Sequence, residues 1–200
     1  MEKILVIVDP LKGFLEKGSL ATPEHMQYVP YIVDLISSKN FKKIIILKDE
    51  HEVTDVELDY MPMHCMAGDE ESEIIPEIMA ALNKCGYVDF ESASYDLMFD
   101  DELEAIYNYE IFCKNDYSPR VSYDMYFTAL GMMQNQYDSA HIVGFVGSVC
   151  VYNAVQDFSN MGFKVAVHEE AIGDIPAEIG GIPKDILFNH WSKVYGVEVI

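Results

Sequence analysis

Apolar residues in this 200-residue chain fall into short unbroken runs separated by longer stretches of mixed character. Ile4 to Val8, Ile44 to Leu47, His141 to Val146 and Phe163 to Val167 are rich in β-branched residues and end in polar or turn-forming ones, the pattern of strands buried on both faces of a parallel sheet. Between them, Glu24 to Ser38, Ser72 to Leu82, Ser122 to Met133, Val149 to Asn160 and Asp185 to Tyr195 carry the spacing of amphipathic helices. Gly86 to Phe90, Glu110 to Cys113 and Val197 to Ile200 are weaker strand candidates. Alternation of this kind predicts an α/β fold, a doubly wound and mainly parallel sheet with helices on both faces in three layers. At this length one core is the usual outcome, and no repeat, low-complexity tract or composition break marks a linker, so residues 1–200 are expected to form a single domain.

Charge narrows the partners. Thirteen basic against 34 acidic residues give a net charge of −21, which repels phosphate backbones and anionic lipid surfaces, so neither nucleic acid nor membrane is an expected partner. The apolar run in MEKILVIVDP is too short for a signal peptide, and no stretch approaches the roughly 20 apolar residues that span a bilayer, so a cytoplasmic location is expected. The four cysteines, Cys65, Cys85, Cys113 and Cys150, have no CxxC spacing and are expected as free thiols rather than a disulfide framework or zinc knuckle.

Ligands of open parallel sheets bind beyond the carboxyl ends of the strands, so polar residues there carry most weight. Asp9 closes ILVIVD, Asp49 closes IIILKD, and Cys150 follows the run in HIVGFVGSVC. Taken singly, either aspartate fits a turn cap and the cysteine fits a small buried hydrophobe. Cys150 has a further feature: it stands at the start of a predicted helix, whose unpaired amides lower a thiol pKa, and Gly144 and Gly147 allow backbone N–H groups to approach an oxyanion. Residues 49 to 69 lack periodicity and are rich in His, Asp, Glu, Met and Pro. Asp49 and His51 lie on one face of extended backbone, and with Glu57 and His64 they offer an oxygen and nitrogen set suited to zinc, iron or manganese, although a DxH pair also fits a polar surface loop. The acidic cluster within segment 92–108 reads as a solvated helix face. No GxGxxG or Walker sequence occurs.

In order and spacing, VDPLKGF, LKDEH, MPMHCMAGDEESEIIPEI, CKNDYS and GFVGSVCVYNAVQDFSNMGFKVAV resemble the isochorismatase-like cysteine hydrolases, and within them the nicotinamidases, over nearly the whole chain. The resemblance implies Asp9 as the catalytic carboxylate, Lys114 as the catalytic lysine and Cys150 as the nucleophile. It implies a divalent metal, zinc by preference, on Asp49, His51, Glu57 and His64. An oxyanion hole would use the amides of Val146 and Cys150, with a cis peptide between Phe145 and Val146, and Phe14, Met61 and Tyr117 would line the substrate pocket. Leu11 stands where the family usually has glutamine, Met61 where an aromatic residue is usual, and Pro119 and Arg120 follow the lysine motif in place of a small and an aromatic residue. These changes border the pocket and bear on the substrate more than on the chemistry. The expected function is hydrolysis of nicotinamide to nicotinate and ammonia through a thioester. Another small-amide or ureido hydrolase is the rival, a non-enzymatic metal-binding or interaction protein of the same fold a second; the partner expected is a small-molecule amide, and a homo-oligomer is compatible with the sequence.

Overall fold

The structure, a computed structural model, describes residues 2–89, 108–114 and 131–200. Strand β1 (Lys3–Val8) is followed by a short helix α1 (Lys12–Leu15), helix α2 (Val29–Ser37), strand β2 (Lys43–Asp49), helix α3 (Pro76–Cys85) and strands β3 (Val88–Asp89) and β4 (Asn108–Lys114). Strand β5 (Ser139–Gly144), helix α4 (Tyr152–Asn160), strand β6 (Lys164–Ile172), helix α5 (Lys184–Tyr195) and strand β7 (Glu198–Val199) complete the described strands and α-helices. The sheet order is β3-β4-β2-β1-β5-β6-β7, and every pairing is parallel. The doubly wound α/β fold expected from the hydrophobic runs is therefore present.

Because side chains alternate across a strand, β1 feeds two cores at once. Ile4, Val6 and Val8 pack with Ile45, Phe158 and Trp191 on one face, while Leu5 and Ile7 pack with Ile32, Ile36 and Ile78 on the other. All five are fully buried, each contributing about 1.5–3 kcal/mol. That is why the run reads as continuously apolar instead of alternating. From β1 the chain builds outward through β2, and later returns to add β5 on the opposite side. The connection reverses between β1 and β5, so a crevice forms at their carboxyl ends.

The expected helix from Glu24 to Ser38 is two pieces, a 3-10 turn over Pro23–Tyr28 and then α2. Pro30 has no N–H to continue a preceding helix and fits only a first turn. Pro76 likewise delays α3 past Ser72, and Gly86, with φ 72°, ends it in the left-handed conformation. The run at His141 to Val146 leaves the sheet at Gly144, whose φ is 122°. Helix α4 is preceded by a π-turn over Gly147–Val151, so the helical path starts two residues before Val149. Of the predicted helix from Ser122 to Met133, residues 131–133 are helical and the others lie outside the described residues, as do residues 92–107 of the acidic segment. Among the described residues, no helix is long and apolar enough to cross a membrane.

Candidate active site

Asp9 follows β1 with a left-handed φ of 47°, a conformation costing a non-glycine residue about 1–3 kcal/mol. Its backbone N–H donates to the Leu47 carbonyl at 2.8 Å, and its Oδ1 accepts the Asp49 N–H at 2.8 Å. Both carboxylates are buried, at 0% and 1% exposure. The ends of β1 and β2 are thus cross-linked by the side chain the sequence singles out.

The third side of the crevice comes from β5. A Cβ on Gly144 would sit 2.1 Å from the Val8 carbonyl oxygen, so only glycine lets β5 close this tightly on β1. Phe145 N–H then donates to that carbonyl at 3.0 Å, and the Phe145–Val146 peptide is cis. The Val146 carbonyl accepts from both Val149 and Val151, each at 3.1 Å, closing a turn that brings Cys150 back to the strand ends. One donor atom from each of Asp9, Asp49 and Cys150 lies within 4.8 Å of the others. A thiol at the first turn of a helical path, with a buried carboxylate within 4.8 Å, makes an activated nucleophile chemically available.

Asp49 also belongs to a second group, with His51 and His64, again within 4.8 Å and buried. The His51 backbone accepts from Ala67 and donates to the Cys65 carbonyl, which folds the long loop back on itself. His64 Nδ1 donates to the Pro62 carbonyl at 2.8 Å, which fixes the tautomer and leaves the Nε2 lone pair free to coordinate. His51 Nδ1 pairs with Asp55 Oδ2 at 3.3 Å in the same way. Each Nε2 then lies 3.7 Å from Asp49 Oδ2, and Glu57 Oε1 is 3.8 Å from that of His64. Those separations are too long for hydrogen bonds and close to the roughly 3.5 Å between two ligands of one transition metal. His51 Nε2 is buried without a hydrogen bond among the described residues. Burial opposes a charge on His51, but the carboxylates of Asp49, Glu57 and Asp55 outweigh it and hold its pKa above the ordinary value. A site that favours a proton this way favours a divalent cation for the same reason, so these donors fit zinc, iron or manganese.

Members of both groups line one cavity of about 260 Å³: Cys150, beside Val146, from the first, His64, beside Glu57, from the second, and Asp49 from both. Phe14 and Met61 line it, and the Phe14 ring meets His64 edge-on at 5.7 Å. A groove of about 380 Å³ between α2 and α3 is larger, but it is lined by residues such as Val29, Val33 and Ala80, and it brings neither a cysteine nor a histidine to its wall. Chemistry, not volume, marks the site.

Lys114 ends β4 in register with Asp49. Its side chain, and the whole of Tyr117, lie outside the described residues. Cys65 does not join the site: with φ 43° it turns its thiol toward the Glu71 carbonyl, packed with Leu11 and Phe14 and against Gly13. Two features escape the sequence reading. Asp55, four residues after His51, had a readable signal, a carboxylate close enough along the loop to orient the ring. Ile175 and Ile179, which wall the cavity, come from a distant segment and had none.

No protein-family model matches the sequence, and no curated protein matches it. Solved structures do share its fold. A nicotinamidase from Bacillus subtilis superposes with a TM-score of 0.75 at 22% identity, covering 100% of this chain and 99% of that one. An N-carbamoylsarcosine amidase from Thermoplasma acidophilum gives 0.70 at 24% identity, covering 100% and 95%. A pyrazinamidase from Pyrococcus horikoshii, solved in complex with zinc, gives 0.71 at 20% identity, covering 100% and 99%.

Proposed function

We propose that this chain is a metal-dependent cysteine amidohydrolase of the isochorismatase-like family whose substrate is nicotinamide. The observation that carries the reading is the convergence of Asp9, Asp49 and Cys150 within 4.8 Å, where Asp49 and Cys150 line one cavity with His64 and Asp49 also groups with His51. Relatives in fold that act on small amides support it.

In this reading Asp9 takes the thiol proton of Cys150, and the thiolate adds to the carboxamide carbon. Backbone N–H groups of Val146 and Cys150 meet the oxyanion, each donor contributing about 3–4 kcal/mol in sites of this kind. Asp9 returns its proton to the amide nitrogen, the carbon–nitrogen bond breaks, and ammonia leaves a thioester on Cys150. A water molecule then gives a proton to Asp9 and adds to the thioester. Collapse releases the carboxylic acid and the thiolate, which regains its proton. Lys114, at the end of β4 beside Asp49, is assigned to balance the negative charge. A divalent ion held by Asp49, His51, Glu57 and His64 would supply a coordination position for a heteroatom beside the scissile amide. Phe14 and Met61, in the cavity wall, hold the ring.

A ureido substrate is the second reading, favoured by the N-carbamoylsarcosine amidase among the relatives in fold and by Met61 in the pocket wall. Ammonia release from a panel of carboxamides and ureido compounds by purified, metal-loaded protein decides between them. Fastest turnover of nicotinamide is expected; turnover confined to a ureido compound would replace the substrate, and none at all would favour a binding protein.

A further inference from the structure

The turn that presents Cys150 is held from behind by residues with no part in the chemistry above. Gly147 N–H donates to the Gly173 carbonyl at 2.8 Å, and Gly173 N–H donates to that of Gly144 at 3.1 Å, so segments 144–147 and 173–175 are bound back to back. The next residue, Asp174, reaches across. Its Oδ1 accepts the Ser148 hydroxyl at 2.8 Å and the Ile175 N–H at 2.9 Å. Its carboxyl lies so close to Gly147 that a Cβ there would be 3.2 Å from it. The buried His25 completes the support. Its Nε2 donates to the Asp174 carbonyl at 2.9 Å while its ring stacks on Phe145 at 5.4 Å and 21°. Gly173 is the spacer that permits this, since a Cβ there would meet Phe145 at 2.7 Å and His25 at 2.9 Å.

We propose that Asp174 is a positioning residue for Cys150, acting through Ser148 to hold the turn in which the thiol and the Val146 and Cys150 amides share one geometry. The inference rests on the reading of Cys150 as nucleophile. The physical need is plain: in the nucleophile turn Gly147 brings no side chain and Ser148 only a hydroxyl, so Val149 alone packs on the core, and a misplacement near 1 Å can cost roughly a hundred-fold in rate. Asp174 Oδ2 is buried without a hydrogen bond among the described residues, so acceptance by Oδ1, not the charge, is the function. Asparagine can do the same.

The test is the alkylation rate of Cys150 by iodoacetamide, read by mass spectrometry against Cys85 in the same molecule, which needs no knowledge of the substrate. In Asp174→Ala the Cys150 rate should fall about ten-fold or more while that of Cys85 stays constant. Asp174→Asn should restore most of it. Ser148→Ala, which removes one hydrogen bond and is the milder change should Asp174→Ala fold poorly, should give a partial loss, and the double variant should be no slower than Asp174→Ala alone. A folded Asp174→Ala or Ser148→Ala protein with unchanged or faster Cys150 alkylation would overturn the inference, as would asparagine behaving like alanine. Wild-type Cys150 reacting no faster than Cys85 would overturn the nucleophile reading, and this inference with it.

Discussion

The Asp49 N–H donates to Asp9 Oδ1 at 2.8 Å, so the carboxylate assigned to proton transfer is also the acceptor that fixes the strand end from which the metal-binding group departs. The two roles separate by substitution. Asp9→Asn keeps an oxygen for the Asp49 N–H but cannot take a thiol proton. Turnover should fall by roughly a hundred-fold or more while metal content stays near that of the wild type. Asp9→Ala should reduce both. Amide hydrolysis and elemental analysis on the same preparations check this, and an active Asp9→Asn protein would remove Asp9 as the base.

Two buried cysteines lie near the cavity, and only one should matter for turnover. Cys150→Ala should abolish ammonia release, since no other described thiol shares the Asp9 group. Cys65→Ala should leave the rate within about two-fold and cost on the order of 1 kcal/mol of stability, because its thiol packs with Leu11 and Phe14 and turns toward the Glu71 carbonyl, outside the Asp9 group. Kinetics with thermal melts distinguish the two, and inactivity of a folded Cys65→Ala protein would contradict the assignment.

How far the sequence discloses this molecule follows from where each constraint is encoded. β1 is legible because both faces are covered, so five consecutive apolar residues have no other home, and Asp9 stands out as the first polar residue after them. Asp49, His51 and His64 are legible through spacing and resemblance, since one local loop carries them. The opposite cavity wall is not: Ile175 and Ile179 reach the site only through the path of β6 and the chain beyond it. Asp174 is hidden for the same reason, because its meaning lies in Ser148, 26 positions away along the chain. The split near Pro30 is locally encoded, but apolar periodicity continues on both sides of it and masks the break.

His141 and His168 give the fold an acid limit away from the site. Burial, then the neighbouring His168 and Lys3, push His141 down to about 4, and burial also lowers His168. Their ring nitrogens meet at 2.8 Å, an arrangement that cannot carry two protons. The unfolded chain binds protons near pH 6.5 and the folded chain resists them, so this contribution is complete above 6.5 and is lost as pH falls toward 4. For His141 alone the loss is on the order of 3 kcal/mol. Urea unfolding at several pH values should show stability falling across this window, and His141→Leu should flatten that slope; an unchanged slope would exclude the pair as its source.

The metal-binding group should discriminate between substrates that the apolar wall cannot tell apart. Nicotinamide and benzamide have nearly the same shape, so Phe14 and Met61 would treat them alike, and apolar contact alone separates such a pair poorly. They differ at the ring nitrogen, for which a coordination position beside His64 is the natural partner. Nicotinamide should therefore be hydrolysed faster, by roughly a hundred-fold or more in kcat/KM. Chelation should shrink that preference, and so should His51→Ala, which removes the buried Nε2 oriented through Asp55 and should lower metal content by elemental analysis. Because the proposed covalent steps run through Asp9, Lys114, Cys150 and the amides and not through the metal, benzamide turnover should change much less than that of nicotinamide. Equal rates for both amides in the metal-loaded protein, or a preference untouched by chelation, would exclude a metal-held ring as the origin of specificity and shift it to the pocket wall around Met61.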